Sequence, residues 1–152
     1  MKTFKQIVDT FEAACNATPA VKAFAYGTLD KLDATSQNVT YPYIFLRPLV
    51  SPGIQLSPNG ISGTRTITFE LYSIDIPQLT ESDYLQVMSQ TEQTGYAIIS
   101  YFNLGPNQDN SFITLSNIAP VNEAFNDRVY GWVFTLDYTE QGVLDYCSFP
   151  TN

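Results

Sequence analysis

At 152 residues the chain has enough length for one domain around a single core, and its 44 % hydrophobic and 14 % aromatic content suits a sheet-rich globular protein. It contains no histidine, which removes the usual general base, the commonest metal ligand and the Ser-His-Asp and Cys-His arrangements together. A net charge of −8 opposes an extended nucleic-acid-binding surface, which needs clustered Lys and Arg to displace counterions.

Residues 3–15 read as a helix, with Phe4, Ile7, Val8, Phe11 and Cys15 on one face and Lys5, Asp9 and Glu12 turned away. Asn16 and Pro19 end it, and its polar face is not basic, so it is expected to lie on a sheet and not on a membrane. Val21 to Tyr26 reads as a first strand closed by Gly27. Leu29 to Asn38 reads as a connection; Asp30 and Asp33 lack the glycine and the final glutamate of an EF-hand loop. Tyr41 to Pro48 is an apolar strand limited by Pro42 and Pro48.

Leu49 to Gly63 mixes loop punctuation with apolar side chains: Pro52, Gly53, Pro58, Asn59 and Gly60 alongside Leu49, Val50, Ile54, Leu56 and Ile61. Pro58-Asn-Gly60 fits the tip of an extended hairpin. A solvated loop has no need of those five apolar residues, which predicts an arm that packs on a neighbouring subunit.

Arg65 to Ile74 is the cleanest amphipathic strand, with Ile67, Phe69 and Leu71 facing one way and Thr66, Thr68, Glu70 and Tyr72 the other. Thr80 and Ser82 offer N-caps for a second helix running to about Asn103, and Asp83 completes a capping box on Thr80. Its buried stripe is Tyr84, Met88, Thr91, Gly95, Ile98 and Phe102, widened by Leu85, Val87 and Ile99. Phe112 to Ile118 forms a fourth strand and Pro120 to Asp127 a connection. In Tyr130, Trp132, Phe134, Leu136 and Tyr138 large residues occupy every second position, so they line one face of a central strand. Leu144 to Phe149 forms a short tail. The predicted class is α+β: a mainly antiparallel sheet of about five strands, two helices on one face, order α-β-β-β-α-β-β. Phe11, Phe69, Trp132, Phe134 and Leu136 are the expected core.

Charge is uneven. Residues 1–65 hold six basic and four acidic side chains, a net +2, whereas residues 66–152 hold Arg128 and eleven acidic ones, a net −10. A solubilising surface accounts for this, as does a surface that repels a polyanion or meets a basic partner. Cys15 lies on the helical apolar stripe and reads as a buried thiol, though a disulfide to Cys147 stays open. Met1 to Asp9 lacks the apolar core of a signal peptide, and no run approaches the ~20 apolar residues of a membrane helix. Phosphate-binding glycine loops, a Gly-x-Ser-x-Gly elbow and Cys-x-x-Cys are absent, and carboxylate pairs such as Asp137 with Glu140 or Asp9 with Glu12 arise by chance in an acidic chain. No enzyme activity, cofactor or metal is expected.

Four stretches together carry a resemblance: Val21-Lys-Ala-Phe-Ala-Tyr-Gly27, Tyr41-Pro-Tyr-Ile-Phe-Leu-Arg-Pro48, Thr68-Phe-Glu-Leu-Tyr72 and Pro120-Val-Asn-Glu-Ala-Phe-Asn-Asp-Arg-Val-Tyr-Gly-Trp-Val-Phe134, closed by Asp145-Tyr-Cys147. The chain resembles the tail terminator, tail completion and neck proteins of tailed phages. That resemblance implies one α+β domain over residues 1–152 and a homo-oligomeric ring, six-fold or twelve-fold, between the connector and the tail tube. It implies partners in the tail-tube and neck proteins, assembly in the host bacterial cytoplasm, a place in the virion and no catalysis. DNA would pass through the ring without specific binding, and Glu70, Asp75, Glu123 and Asp127 are candidates for an acidic channel lining. The rival from another class is a monomeric carbohydrate- or ligand-binding module. It would need the Tyr130–Tyr138 row, or Tyr41 and Tyr43, at the surface.

Overall fold

Three helices and six strands follow one another among the residues that the computed structural model describes, namely 1–36, 39–49, 53–56, 58, 62–76, 81–104, 110–124 and 129–143. In chain order they are α1 (Phe4–Asn16), β1 (Ala23–Tyr26), α2 (Leu29–Ser36), β2 (Tyr43–Pro48), β3 (Gly53–Leu56), β4 (Ser62–Asp75), α3 (Glu81–Leu104), β5 (Ser111–Ala124) and β6 (Val129–Val143). The sheet order is β1-β2-β4-β6-β5, and β3 pairs with β4. Every pairing is antiparallel except β1 with β2. The chain is an α+β protein with a mainly antiparallel sheet, as its periodicities predict.

β4 organises the pairing. One edge meets β6 without interruption from Ser62 to Asp75. The other edge is shared: β2 takes Phe69 to Ile74 and β3 takes Gly63 to Thr66. The Leu49 amide, 2.9 Å from the Thr68 carbonyl, carries the bonding across the gap between them.

α1 begins at a capping box. The Thr3 hydroxyl accepts from the Gln6 amide (3.2 Å) while the Gln6 side chain accepts from the Thr3 amide (2.7 Å), so two donors left over at the helix start are satisfied. The helix buries Ile7, Val8, Phe11, Ala14 and Cys15 against Leu46, Phe69, Leu71, Phe134, Leu136 and Tyr138 of the sheet and Ile98 and Phe102 of α3. This is the expected face covered by two helices.

A third helix lies on the opposite face. α2 falls where the sequence reads as a connection, because eight residues with two leucines carry almost no helical signal of their own. Tertiary packing holds it: Leu32 is fully buried among Tyr43, Phe45, Ile74 and Val129. Consequently β2 is covered on both faces, and Tyr43, Ile44, Phe45 and Leu46 are all fully buried. A free thiol at Cys15, buried beneath α1, has its pKa pushed up to about 12 by burial and by nearby Glu12.

Differences at the element ends have local causes. The fourth strand continues to Ala124 through Pro120, which is tolerated because β5 is an edge strand whose outward amides need no ladder partner. Two register irregularities, at Leu115/Asn117 and Asn122/Ala124, bend it. Leu85, assigned to the buried stripe of α3 from its spacing, is exposed.

The aromatic row of β6 runs under α3. Tyr130 meets Tyr84 edge-on with ring centroids 4.9 Å apart, the Trp132 indole N–H donates to the Met88 carbonyl at 2.9 Å, Tyr96 crosses Phe134 at 5.5 Å and Phe102 crosses Tyr138 at 5.7 Å. Phe134, Leu136 and Tyr138 are fully buried, whereas Trp132 is only partly so, at the border of the cluster. Two glycines permit close approaches here, Gly95 that of α3 to β6 and Gly131 that of β6 to β4. A Cβ at Gly95 would stand 2.2 Å from the Phe134 ring, and one at Gly131, where φ is +155°, would stand 2.0 Å from the Ser73 carbonyl oxygen.

Replacing Gly95 by Ala should therefore destabilise the protein by about 1–3 kcal/mol, overpacking outweighing the ~1 kcal/mol of helix propensity gained. Urea denaturation monitored by Trp132 fluorescence measures this, and an unchanged or raised midpoint would contradict the packing described.

Candidate functional site

The arm that the sequence singles out is in part a strand. Gly53 to Leu56 pairs with Thr66 to Gly63, so β3 and the start of β4 form a hairpin that prolongs the sheet. Leu49 is partly buried at its base. Ile54 and Leu56 stand opposite Arg65 and Gly63 in the register, while Val50 and Ile61 lie outside the described residues. β3 pairs with β4 alone, so its outer edge is open among the described strands. A cleft of about 530 Å³ lies at this end of the sheet, between Gln55, Ser62 to Thr64, Asn110 and Gln141 to Val143.

The four candidate acidic residues do not form one group. Glu70 and Asp75 are five apart on an unbroken strand, so they point to opposite faces of the sheet. Glu70 is neutralised where it stands: Arg47 donates to its Oε2 at 2.9 Å and the Tyr72 hydroxyl donates to the same oxygen at 2.9 Å. Burial, then the Glu70 carboxylate, pushes the Tyr72 phenol up to about 12. Glu123 falls inside the second irregularity of β5, and Asp127 lies outside the described residues.

Glu70 belongs to a polar ladder on the sheet face away from α1 and α3. There the Thr68 hydroxyl donates to Asp137 Oδ1 at 2.7 Å, Ser116 bonds Asp137 Oδ2, and Thr66 and Thr139 pair through their hydroxyls at 3.2 Å. Asp137 and Glu140, a carboxylate pair by spacing, are separated by the sheet, since odd and even positions of β6 face opposite ways. They cannot share a proton or a reacting group. Asp9 is taken up by Lys5 on the surface of α1.

Glu140 is instead the polar end of the aromatic row. It is 3 % exposed, accepts from the Tyr138 hydroxyl (2.8 Å) and the Lys2 amide (3.1 Å), and is ion-paired to Arg65, which also donates to the Lys2 carbonyl. This buried cluster fastens the chain start to β4 and β6. Sequence reading missed it because Arg65 and Glu140 are 75 positions apart. The available signal was that Glu140 continues the even-numbered row begun at Tyr130.

Asp75 lies on the α3 side, at the end of β4. Its Oδ1 accepts from the Ile76 amide at 2.8 Å, and it has no ion pair among the described residues. It borders two adjoining grooves, of about 550 Å³ and 400 Å³, between α3, the end of α1 and the segment at Tyr41 and Pro42. Burial raises its pKa, opposed by the Ile76 hydrogen bond.

Of the aromatic residues that a sugar-binding module would present, the Tyr130–Tyr138 row lies under α3 and Tyr43 is fully buried, while Tyr41, Tyr130 and Trp132 are partly exposed. Among the described residues no group of His, Cys, Asp and Glu side chains could hold a metal ion, and no helix is long and apolar enough to cross a membrane. No protein-family model matches the chain, and no curated protein does.

Two outcomes follow from this geometry. Glu140→Gln should cost about 3 kcal/mol in urea denaturation, because it leaves the Arg65 charge largely buried without its counter-ion. It should also speed hydrogen exchange at the Lys2 amide. An Asp75→Asn variant should match the wild type below the ordinary aspartate value of 3.8 and become the more stable of the two as pH rises above it. The folded wild type holds its Asp75 proton more tightly than the unfolded chain, so stability is lost as that proton leaves. Thermal melts across pH 3 to 7 read the sign, and a wild type favoured at neutral pH would reverse the assignment.

Proposed function

We propose that the chain is a structural subunit of a tailed bacteriophage that assembles into a homo-oligomeric ring at the neck or the top of the tail, around a channel for DNA. The observation that carries the reading is the β3–β4 hairpin, a prolongation of the sheet with an open outer edge. It lies where the sequence combines turn residues with apolar ones. A second open edge, β5, lies at the other side of the same sheet. Two different surfaces on opposite sides of one subunit favour head-to-tail contacts, which close into rings when the rotation between copies permits. The resemblance in four stretches of sequence points the same way.

Under this reading the tail-tube and neck proteins are the axial partners. The polar ladder around Asp137 is the better candidate for a surface facing DNA, since it carries hydroxyls and carboxylates and its Arg47 is paired with Glu70.

The concentrated protein should form closed rings of six or twelve copies, visible by negative-stain microscopy and as a multiple of 17.0 kDa in sedimentation. Replacing residues 52–62 by a short Gly-Ser turn should leave a folded monomer that no longer assembles. Rings from that variant would move the contact to the sheet edges, and a wild type that stays monomeric at every attainable concentration, with and without tail tubes, would overturn the ring.

A further inference from the structure

The groove beside Asp75 is not used by the ring reading and does not depend on it. Its polar lining is weighted toward acceptors, the side-chain amides of Gln90 and Gln93 being the lining side chains that can both donate and accept. The three threonines on its walls have committed their hydroxyl hydrogens to backbone carbonyls: Thr18 to Ala14 (2.9 Å), Thr91 to Val87 (2.7 Å) and Thr94 to Gln90 (2.8 Å). What these hydroxyls can still offer is lone pairs. Asp75 adds a carboxylate whose only hydrogen bond among the described residues comes from the Ile76 amide to Oδ1. Lys22, two residues beyond Ala20 of the lining, directs its ammonium to the Pro19 carbonyl, 3.4 Å away. Asp83, at the far end of the adjoining groove, is the other carboxylate of the lining.

Between these acceptors the walls are apolar, from Pro19, Ala20, Pro42 and Ala97. The volume of about 550 Å³ falls in the range of small-ligand sites, which pair apolar walls with a few placed polar groups. One carboxylate and several hydroxyl lone pairs around an aliphatic slot, beside glutamine amides that can turn either end inward, suit a ligand with donors at its head and a hydrocarbon stem behind it. Ammonium and guanidinium groups have N–H donors and no acceptor.

We propose that this groove is a binding site for an alkylammonium or alkylguanidinium group, with Asp75 as its counter-ion and Pro19, Pro42 and Ala97 against the stem. That chemistry is carried both by free amines and by lysine or arginine side chains of another protein. A cation placed there would offset the loss of hydration that burial imposes on the Asp75 carboxylate, so binding should weaken as salt rises.

The test is a titration of isotope-labelled protein by NMR with n-butylammonium, agmatine and capped single-residue lysine and arginine, with n-butanol as the uncharged control. Saturable shifts are expected at residues 18–20, 75–76 and 90–97 for the cations and not for butanol. Asp75→Asn, which keeps the Ile76 hydrogen bond, should weaken binding by about tenfold or more, as loss of a charged hydrogen bond does. Asp137→Asn should leave binding unchanged. Tighter binding of agmatine or butylammonium than of the capped residues would identify a free amine as the ligand, and the reverse a protein side chain. Absence of saturable shifts, equal binding by Asp75→Asn, or shifts spread over all surface carboxylates would overturn the site.

Discussion

The structure depends on the contact between one helix and one strand. α3 from Tyr84 to Phe102 and β6 from Tyr130 to Tyr138 are in contact along their lengths, pair by pair. Eighteen helical steps of ~1.5 Å and eight strand steps of ~3.3 Å both come to roughly 26–27 Å, so the two elements stay in step. Large aromatic side chains can fill the interface only because the helix yields at Gly95, where the Phe134 ring occupies the space of a side chain. Polar groups at this interface are satisfied from within it: Ser73 donates to the Thr91 carbonyl at 2.7 Å, and the Trp132 indole to Met88. β4 is then held between this layer and β2, and α1 completes the cover.

The two sheet faces solve different problems. The face under α1 and α3 buries aromatic and aliphatic side chains and ends in a carboxylate, Glu140, matched by Arg65. Among the described residues the other face is buried around Leu32 of α2 and elsewhere carries a ladder of hydroxyls and carboxylates bonded across strands. Cross-strand pairs of this kind contribute roughly 0.2–1 kcal/mol each and help to hold the register of an uncovered sheet.

Long, strongly periodic elements were legible in the sequence: α1, α3 and β4 occupy nearly the expected spans, β6 runs on past Tyr138 through Gln141 and Gly142 to Val143, and Phe11, Phe69, Phe134 and Leu136 are core residues as expected. What escaped was whatever depends on partners distant in the chain. α2 is too short to declare itself and is held by Leu32. β3 is a strand because β4 offers it an edge, although its composition reads as a loop. Pro120 reads as a strand end, yet an edge position removes the objection. For the candidate site, the charge balance and the resemblance point to an acidic set, but strand parity divides Glu70 from Asp75, and the groove beside Asp75 forms where α1, α3 and β4 converge.

The fastening of Lys2 to Glu140 also bears on how the protein is made. That hydrogen bond spans 138 positions, and the first helix packs on strands and a helix that are synthesised long after it. While the chain emerges from the ribosome, Ile7, Val8 and Phe11 have no finished surface to cover until β4 and α3 follow, and the clasp on Lys2 waits for β6. Contacts of such long range close late and slowly. The amphipathic first helix thus spends part of translation without its partners, and the fold is sealed by the meeting of the earliest and the last of its described segments.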